Sequence, residues 1–543
     1  MPRRKPLLWL VARARPLTPG RGSCFHPVSL RPIDYIVIAI YGAVIAGISL
    51  VFARRQKTSA DYFVAGRSMP AWAVAMAMMA ALISSNTLVG HPATAYQKGL
   101  ILLLGSLTLP LVLIFVARVI VPFYRNTVGM SAYEYLGARF GVGGRLYASG
   151  CFIADRLFDV GVTMLTTAVP ICVMTGWDLQ QVILWMAAFT VAYTMIGGME
   201  AVVWTSVVQG FIFVAAAFII AARLIFAPEA GAPGAVIGAA WDAGKFALGD
   251  FSFSWGSLFD AGLTTQWLLL LAYTANWARR YIADQHMVQR YLIAKTDRDA
   301  SQGALWNGLL CVPVWAIFMV IGSCLYGYYV LSGATPPAVA DEVVPHFIVH
   351  QLPAGVIGLM LAAILAASMS SISPDLNSIS TAFTADIVGH FKPGLSDRAR
   401  LLSGRLGVAL FGAAAIGVAL IMAPKGGAAT IMERAVTVAA ILSGGMLGLF
   451  FLGFFTRTAT RQGCYAGLVA CALFTTWGTL TSGKEPMLNL GFNFPLNPIL
   501  IGILGHVVVF GVGMVWSKLF GGYVPANIDQ LTFRSSAARH KSA

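Results

Sequence analysis

Long apolar runs recur along almost the whole chain. They are continuous rather than alternating, and each is about as long as the 20 residues that a helix needs to cross the hydrocarbon core of a bilayer. They lie at residues 33–53, 70–95, 100–122, 146–175, 179–197, 204–226, 264–283, 304–330, 353–384, 403–424, 431–456, 462–481 and 496–517. By the length criterion, this pattern predicts an all-α membrane protein with about 13 transmembrane helices.

The composition agrees with this prediction. Of the 543 residues, 58% are apolar and only 11% are charged, whereas a soluble domain carries about 25% charged residues. So few charges cannot cover the surface of a water-soluble fold of this length, which excludes nearly every soluble enzyme class. No nucleophile–base set and no metal-ligand spacing stands out, so we expect a protein that is not an enzyme.

Basic residues alternate between the loops and predict the orientation of the chain. The loop at 227–262 has Lys245 as its single basic residue, and the loop at 331–352 has none. Because cytoplasmic loops collect Lys and Arg, the N-terminus is predicted outside and the C-terminus, with a tail at 518–543, in the cytoplasm of an inner or plasma membrane. The basic loops carry Arg54, Arg55, Lys57, Arg67, Arg125, Arg139, Arg145, Arg290, Lys295, Arg298, Lys392, Arg398, Arg400, Arg457, Arg461 and Lys518.

The first residues do not fit this orientation. Residues 1–31 carry only basic charges and contain no run long enough to span, so we expect a disordered basic tail. The same basic loops account for the net charge of +15, without a nucleic-acid partner.

The spans divide into two groups of five. Residues 70–226 and 264–456 form these groups, an extracellular loop at 227–262 joins them, and one helix at 33–53 and two at 462–517 flank them. With five spans in each group, the second enters from the opposite side, which is the inverted repeat of many transporters.

Polar residues interrupt the first helix of each predicted repeat. They lie at Ile83–Thr87 in the first repeat and at Tyr273–Asn276 in the second. Discontinuous first helices in matching places mark the binding site in such folds. The alternative is that these side chains only join packed helices.

A hydroxyl-rich stretch lies inside another span, at residues 366–381. Ala367, Ser370 and Ser371 are spaced i, i+3 and i+4, so they share one helix face. Pro374 has no N–H, which frees the carbonyl of Ser370. Hydroxyl and carbonyl oxygens are hard ligands that suit a small cation such as sodium. The alternative is packing by small residues.

Several motifs in order resemble one family. They are Asp61–Arg67, Ala80–Thr87, Gly197–Thr205, Gln285 with Gln289–Tyr291, and Ser370–Ser373 leading to Leu376–Ser380. The chain resembles the sodium:solute symporters, which include the sodium/glucose and bacterial sodium/sialic acid cotransporters. The resemblance implies a leucine-transporter-like 5+5 inverted repeat with flanking helices, and sodium-driven uptake by alternating access.

The resemblance also implies site residues. Sodium is expected between backbone oxygens of Ala80, Ile83 and Ala367 and the hydroxyls of Ser370 and Ser371. Solute contacts are expected from the broken first helix and from the second repeat. The predicted solute residues are Ser84, Asn86, Thr87, Asn276 and Arg156.

The chain departs from the family at two solute positions. Where the sugar branch has Gln, this chain has Thr87. Where the sialic acid branch has a carboxylate-binding Arg, it has Asp159, with Arg156 one turn earlier. Arg156 can therefore serve a carboxylated solute, or it can pair with Asp159 at i, i+3 within the helix.

The sequence also predicts a second cation site. Some relatives use an Asp after Trp-Thr, and here Ser206 follows Trp204-Thr205. Asp375, beside Ser373, has two alternative roles. It can replace the missing carboxylate on a cation exit path, or it can face the cytoplasmic vestibule and pair with a loop Arg or Lys.

We therefore expect a sodium-coupled symporter that imports a small organic solute and functions as a monomer in the bilayer, with sodium as the co-transported ion. The alternatives are proton coupling on the same fold, through Asp375 or His91, and a transporter-like membrane sensor.

Overall fold

The computed structural model describes residues 30–252, 255–260, 265–423, 445–483 and 486–533, and these residues form helices and connecting loops. The longer helices are α1 (Pro32–Ala53), α2 (Ala71–Leu82), α3 (Ser85–Lys98), α4 (Leu103–Thr127), α5 (Val142–Thr175), α6 (Leu179–Ile225), α7 (Gln266–Ala283), α8 (Gln285–Ile293), α9 (Asp297–Ser332), α10 (Val356–Phe391), α11 (Asp397–Met422), α12 (Met446–Phe455), α13 (Arg461–Thr481) and α14 (Leu500–Phe520). Shorter helices lie at Ser59–Val64, Ala132–Phe140, Ala235–Asp242 and Val343–Gln351.

The helices confirm a multi-pass membrane protein. Within the described ranges, nine helices are long and apolar enough to cross a membrane, and the bent pair α2–α3 makes a tenth candidate. The predicted run 431–456 is described only from residue 445, and the predicted tail 1–31 lies almost wholly outside the described residues. The count of thirteen crossings therefore stays a prediction.

Helix α6 contains two predicted runs, 179–197 and 204–226. Its 47 residues correspond to about 70 Å of helix, more than twice the roughly 30 Å hydrocarbon core. The chain kinks at Gly198, whose φ of 57° lies in the left-handed region that favours glycine. A Cβ at this position would lie 2.7 Å from the Gln56 amide nitrogen, so a larger residue would also clash with the Gln56 side chain.

The first helix of the first repeat is broken where its sequence predicts. Helices α2 and α3 meet at an angle of 72°, and Ile83 and Ser84 between them are extended. The prediction of a discontinuous helix at residues 83–87 is thus confirmed.

The matching prediction for Tyr273–Asn276 is wrong. Helix α7 runs without interruption from Gln266 to Ala283, and the Thr274 hydroxyl is satisfied within it by donating to the Leu270 carbonyl (2.7 Å), so this polar side chain does not require a break. The break comes later, at Asp284, which has extended backbone angles. Its carboxylate accepts from the backbone N–H of His286 (2.9 Å) and so caps α8.

Helix α10 lies at the centre of the bundle. It packs against α1, α2, α5, α6 and α11, and nearly all its residues from Ile357 to Ala382 are buried. Because α10 carries the hydroxyl-rich stretch, its polar side chains must find partners on these neighbouring helices rather than in water.

Candidate functional site

Two hydroxyls of α10 meet the end of α2. The Ser370 hydroxyl donates to the carbonyl of Ala80 (2.8 Å), and the Ser371 hydroxyl donates to that of Ala81 (3.2 Å). Both hydroxyls also lie within 3.3 Å of the Ala367 carbonyl oxygen. The contact forms because α2 ends at Leu82, so the last carbonyls of this helix lack the N–H partners that a continued helix would supply.

The structure brings four predicted sodium residues together, namely Ala80, Ala367, Ser370 and Ser371. Ile83, the fifth, is buried and lies in the extended segment of the break. The sequence analysis missed Ala81, although a helix that ends at Leu82 leaves its carbonyl unpaired as well. The result is a cluster of hydroxyl and carbonyl oxygens around a helix break, which is the donor set that suits sodium.

Of the predicted solute residues, Ser84, Asn86 and Thr87 lie at and directly after the break, and Asn276 lies on α7. Asn86 is exposed, Ser84 is half-buried and Thr87 is buried. Asn276 is also exposed, and its side-chain oxygen lies 3.5 Å from the Arg279 guanidinium. Next to this segment, His91 places its Nδ1 3.3 Å from the carbonyl oxygen of Asn86.

Arg156 is the centre of a buried ionic network. Its guanidinium lies 2.7 Å from Asp159 and 2.8 Å from Asp155, and it reaches Asp284 at 3.8 Å and Asp375 at 4.0 Å. The predicted pair with Asp159 is therefore present. With 4% of its side chain exposed, Arg156 is enclosed by aspartates, and its alternative role as a contact for a carboxylated solute stays a prediction.

Asp375 is not a solvated charge of the cytoplasmic vestibule, which corrects one of its two predicted roles. Only 4% of its side chain is exposed, and its carboxylate contacts Nδ1 of His286 on α8. The physical reason is that α8 and α5 pack over this turn of α10 and supply the partners. Ser206 and Ser373 are buried on the packed helices α6 and α10.

The network joins both predicted repeats through paired charges. It links α5 to the α7–α8 break and to α10, and Arg279 also lies 3.4 Å from Asp155. The sequence analysis missed Asp284 and His286, although both flank Gln285, a motif residue, at the end of an apolar run. A buried charge is tolerated only when it is paired, so these contacts hold the three segments together.

Comparisons with known proteins identify the family. The family model of the sodium:solute symporter family matches residues 62–471. The sodium/sialic acid symporter NanT of Aliivibrio fischeri is 30% identical over 512 residues, which cover 93% of this chain and 97% of NanT. The human sodium-coupled monocarboxylate transporter 1 is 27% identical, over 82% of this chain and 72% of that protein.

Solved structures show the same fold. A sodium-coupled sialic acid symporter, solved in a substrate-bound outward-open state, aligns with a TM-score of 0.81 and 28% identity over 91% of this chain and 99% of that one. Mhp1, a nucleobase-cation-symport-1 family transporter, aligns with a TM-score of 0.57 and 16% identity over 88% of this chain and 98% of its own, which bears on the fold alone.

The chain belongs to the sodium:solute symporter family. It is a multi-pass membrane protein that couples the transport of a solute to sodium by alternating access. The family consists of transporters rather than enzymes.

Proposed function

We propose that sodium binds where α2 ends against α10, between the carbonyls of Ala80, Ile83 and Ala367 and the hydroxyls of Ser370 and Ser371. The observation that carries this proposal is the contact of both hydroxyls with the unpaired carbonyls of α2. A hydroxyl that donates to a carbonyl can rotate and turn its oxygen toward a cation. Sodium thus replaces two hydroxyl protons as the partner of these carbonyls.

The solute binds beside this site, at the helix break. Ser84, Asn86 and Thr87 at the break, together with Asn276 on α7, supply neutral polar groups. The relatives that are sialic acid and monocarboxylate symporters support a small organic solute. Because sodium and solute share the segment around residue 83, the binding of one favours the binding of the other, and the effect is reciprocal.

The test is uptake into proteoliposomes that contain the purified protein. A sodium gradient should drive solute accumulation, and a potassium gradient of equal size should not. The contact between His286 and Asp375, one turn after Ser371 on α10, supports a second candidate, in which Asp375 together with Ser373 and Ser206 carries a cation or proton on the exit path. A proton gradient that drives uptake without sodium would favour this alternative and contradict sodium coupling.

We propose thirteen crossings in a 5+5 inverted repeat, with the N-terminus outside, the C-terminus in the cytoplasm, and a monomer as the functional unit. Two exposed residues outside the membrane-spanning helices test the orientation, in a cysteine-free variant of the protein expressed in intact cells. Asp242→Cys should react with a membrane-impermeant maleimide, and Lys392→Cys should react only after lysis, because they lie on opposite sides of the bilayer. Labelling of Lys392→Cys in intact cells would reverse this topology.

A further inference from the structure

Two histidines outside the membrane-spanning helices lie side by side. His346 and His350 belong to the short helix Val343–Gln351, between α9 and α10, where residues four apart share one face. The centroids of their imidazole rings are 4.1 Å apart, and the ring planes are inclined by 31°. The sequence analysis did not single out this pair, because a four-residue spacing brings two side chains together only where the segment is helical.

The hydrogen bond of His350 selects one of its ring nitrogens. Its Nδ1 lies 2.9 Å from the backbone carbonyl oxygen of His346, one turn earlier in the same helix. Because a carbonyl only accepts, Nδ1 carries the proton of the neutral ring, and the lone pair is on Nε2. The side chain is exposed to solvent. A bond from Nδ1–H to a backbone carbonyl is also the arrangement that fixes the ring of a metal-binding histidine.

His346 is held in a comparable way by a second helix. Its Nδ1 lies 2.6 Å from the hydroxyl oxygen of Tyr329 on α9. Tyr329 is 5% exposed, so packing fixes the position of this partner. In the tautomer with the proton on Nδ1, the His346 ring donates to Tyr329 and carries its lone pair on Nε2. The two rings thus supply two Nε2 lone pairs from one face of a helix.

The charges of this segment favour a cation. Burial of the ring and the neighbouring His350 lower the pKa of His346 to about 4, so its imidazole is neutral at pH 7. A metal ion requires the neutral form of its histidine ligands. The segment 331–352 also carries Asp341 and Glu342 but no Lys or Arg, and its negative charge attracts cations.

The helix that carries the pair is anchored at its end. Arg223 of α6 donates to the backbone carbonyl of Gln351 (3.0 Å) and to its side-chain oxygen (2.5 Å). The positive charge of Arg223 is balanced by Glu229, which lies 2.9 Å from the same guanidinium. A binding site on a fixed helix keeps its ligands in position.

We propose that His346 and His350 bind one divalent transition-metal ion, such as Zn²⁺ or Ni²⁺, through their Nε2 atoms, with water completing the coordination. Imidazole suits these metals, whereas Mg²⁺ and Ca²⁺ prefer oxygen ligands. Two nitrogens bound to Zn²⁺ at about 2.0–2.1 Å lie about 3.4 Å apart in tetrahedral geometry. Rings with centroids 4.1 Å apart reach this separation by a small rotation of the exposed His350 side chain.

The metal site is separate from the proposed sodium and solute sites. Its ligands lie on a helix outside the membrane-spanning segments, whereas those sites lie where α2 and α3 meet α10. The inference therefore goes beyond the proposed function, and failure of either one leaves the other standing.

The experiment is a zinc titration of the purified full-length protein, with any affinity tag removed, in competition with a chromophoric zinc indicator. The wild-type protein should bind Zn²⁺, and His350→Gln should raise the Kd at least about tenfold, because even an outer partner of a metal ligand contributes about 10–100-fold. His346→Gln should have the same effect. His390→Gln, which removes an exposed histidine at the end of α10, is the matched control and should keep the wild-type Kd.

A second measurement identifies the type of ligand. Excess Ca²⁺ or Mg²⁺ should not displace the bound Zn²⁺ if imidazole nitrogens hold it. Displacement by either ion would assign the site to carboxylates such as Asp341 and Glu342 and would overturn the proposal.

Three further results would also overturn it. They are absence of zinc binding in the wild-type protein, a wild-type Kd in His350→Gln, and an equal loss of affinity in His390→Gln. Because His350 is exposed, its substitution should not disturb folding. His350→Gln therefore decides the question if His346→Gln does not fold.

Discussion

Ser371→Ala is expected to abolish most of the sodium dependence of transport while the protein still folds. The substitution removes one of about five oxygen ligands of the proposed site, and alanine cannot replace it. The Ala81 carbonyl also loses its donor. We expect the half-saturating sodium concentration for uptake to rise at least about tenfold, equivalent to ~1.4 kcal/mol of binding free energy. Sodium-activated uptake into proteoliposomes measures it.

Ser378→Ala is the matched control for this substitution. Ser378 lies on the same helix and is equally buried, but its hydroxyl donates to the Pro374 carbonyl of α10 itself (2.6 Å) rather than to α2. Its removal should leave sodium activation near the wild-type value. Unchanged sodium activation in Ser371→Ala, or an equal loss in Ser378→Ala, would exclude the proposed site.

Arg156→Met is expected to have the largest effect on folding. It leaves the carboxylates of Asp155 and Asp159 without their nearest cation, and it removes the charge that faces Asp284 and Asp375. Removing one partner of a buried ion pair lowers the free energy of unfolding by about 3–5 kcal/mol, because the remaining charge stays buried and unpaired. The thermal midpoint in detergent and the folded fraction after size-exclusion chromatography should both fall strongly.

Two variants show whether this loss belongs to the network. Arg55→Met removes an exposed arginine whose nearest acid, Glu200, lies 4.0 Å away, and such surface pairs contribute about 0–1 kcal/mol. Arg156→Lys keeps the charge but replaces the planar guanidinium, whose two Nη nitrogens reach Asp155 and Asp159, with a single nitrogen, so it should give an intermediate midpoint. If Arg156→Met kept the wild-type thermal midpoint, the buried aspartates would not need the charge of Arg156 for the protein to fold stably.

The sequence alone determined the features that arise within one segment. The apolar runs predicted most of the long helices, because spanning requires length and hydrophobicity that each segment carries by itself. The break between α2 and α3 was predictable because polar residues cluster at 83–87 in an apolar run. The face shared by Ala367, Ser370 and Ser371 followed from helical periodicity, and the motifs indicated the family that the comparisons then showed.

Only the tertiary structure decided which polar groups meet. The polar residues 273–276 did not break α7, because a polar side chain such as Thr274 can be satisfied within a continuous helix, whereas Asp284 ends α7 and its carboxylate caps α8. One of the two roles predicted for Asp375 placed it at a wet surface, yet it is buried because α8 brings His286 to it.

Arg156 carried two alternatives in the sequence, a solute contact and a pair with Asp159. Packing favoured the pair and added three more carboxylates from α5, the α7–α8 break and α10. The sequence specifies which residues are polar and which face of a helix they occupy. Whether such a group meets water, an ion or a counter-charge depends on which helix packs against that face, and that arrangement is set by contacts between segments hundreds of residues apart.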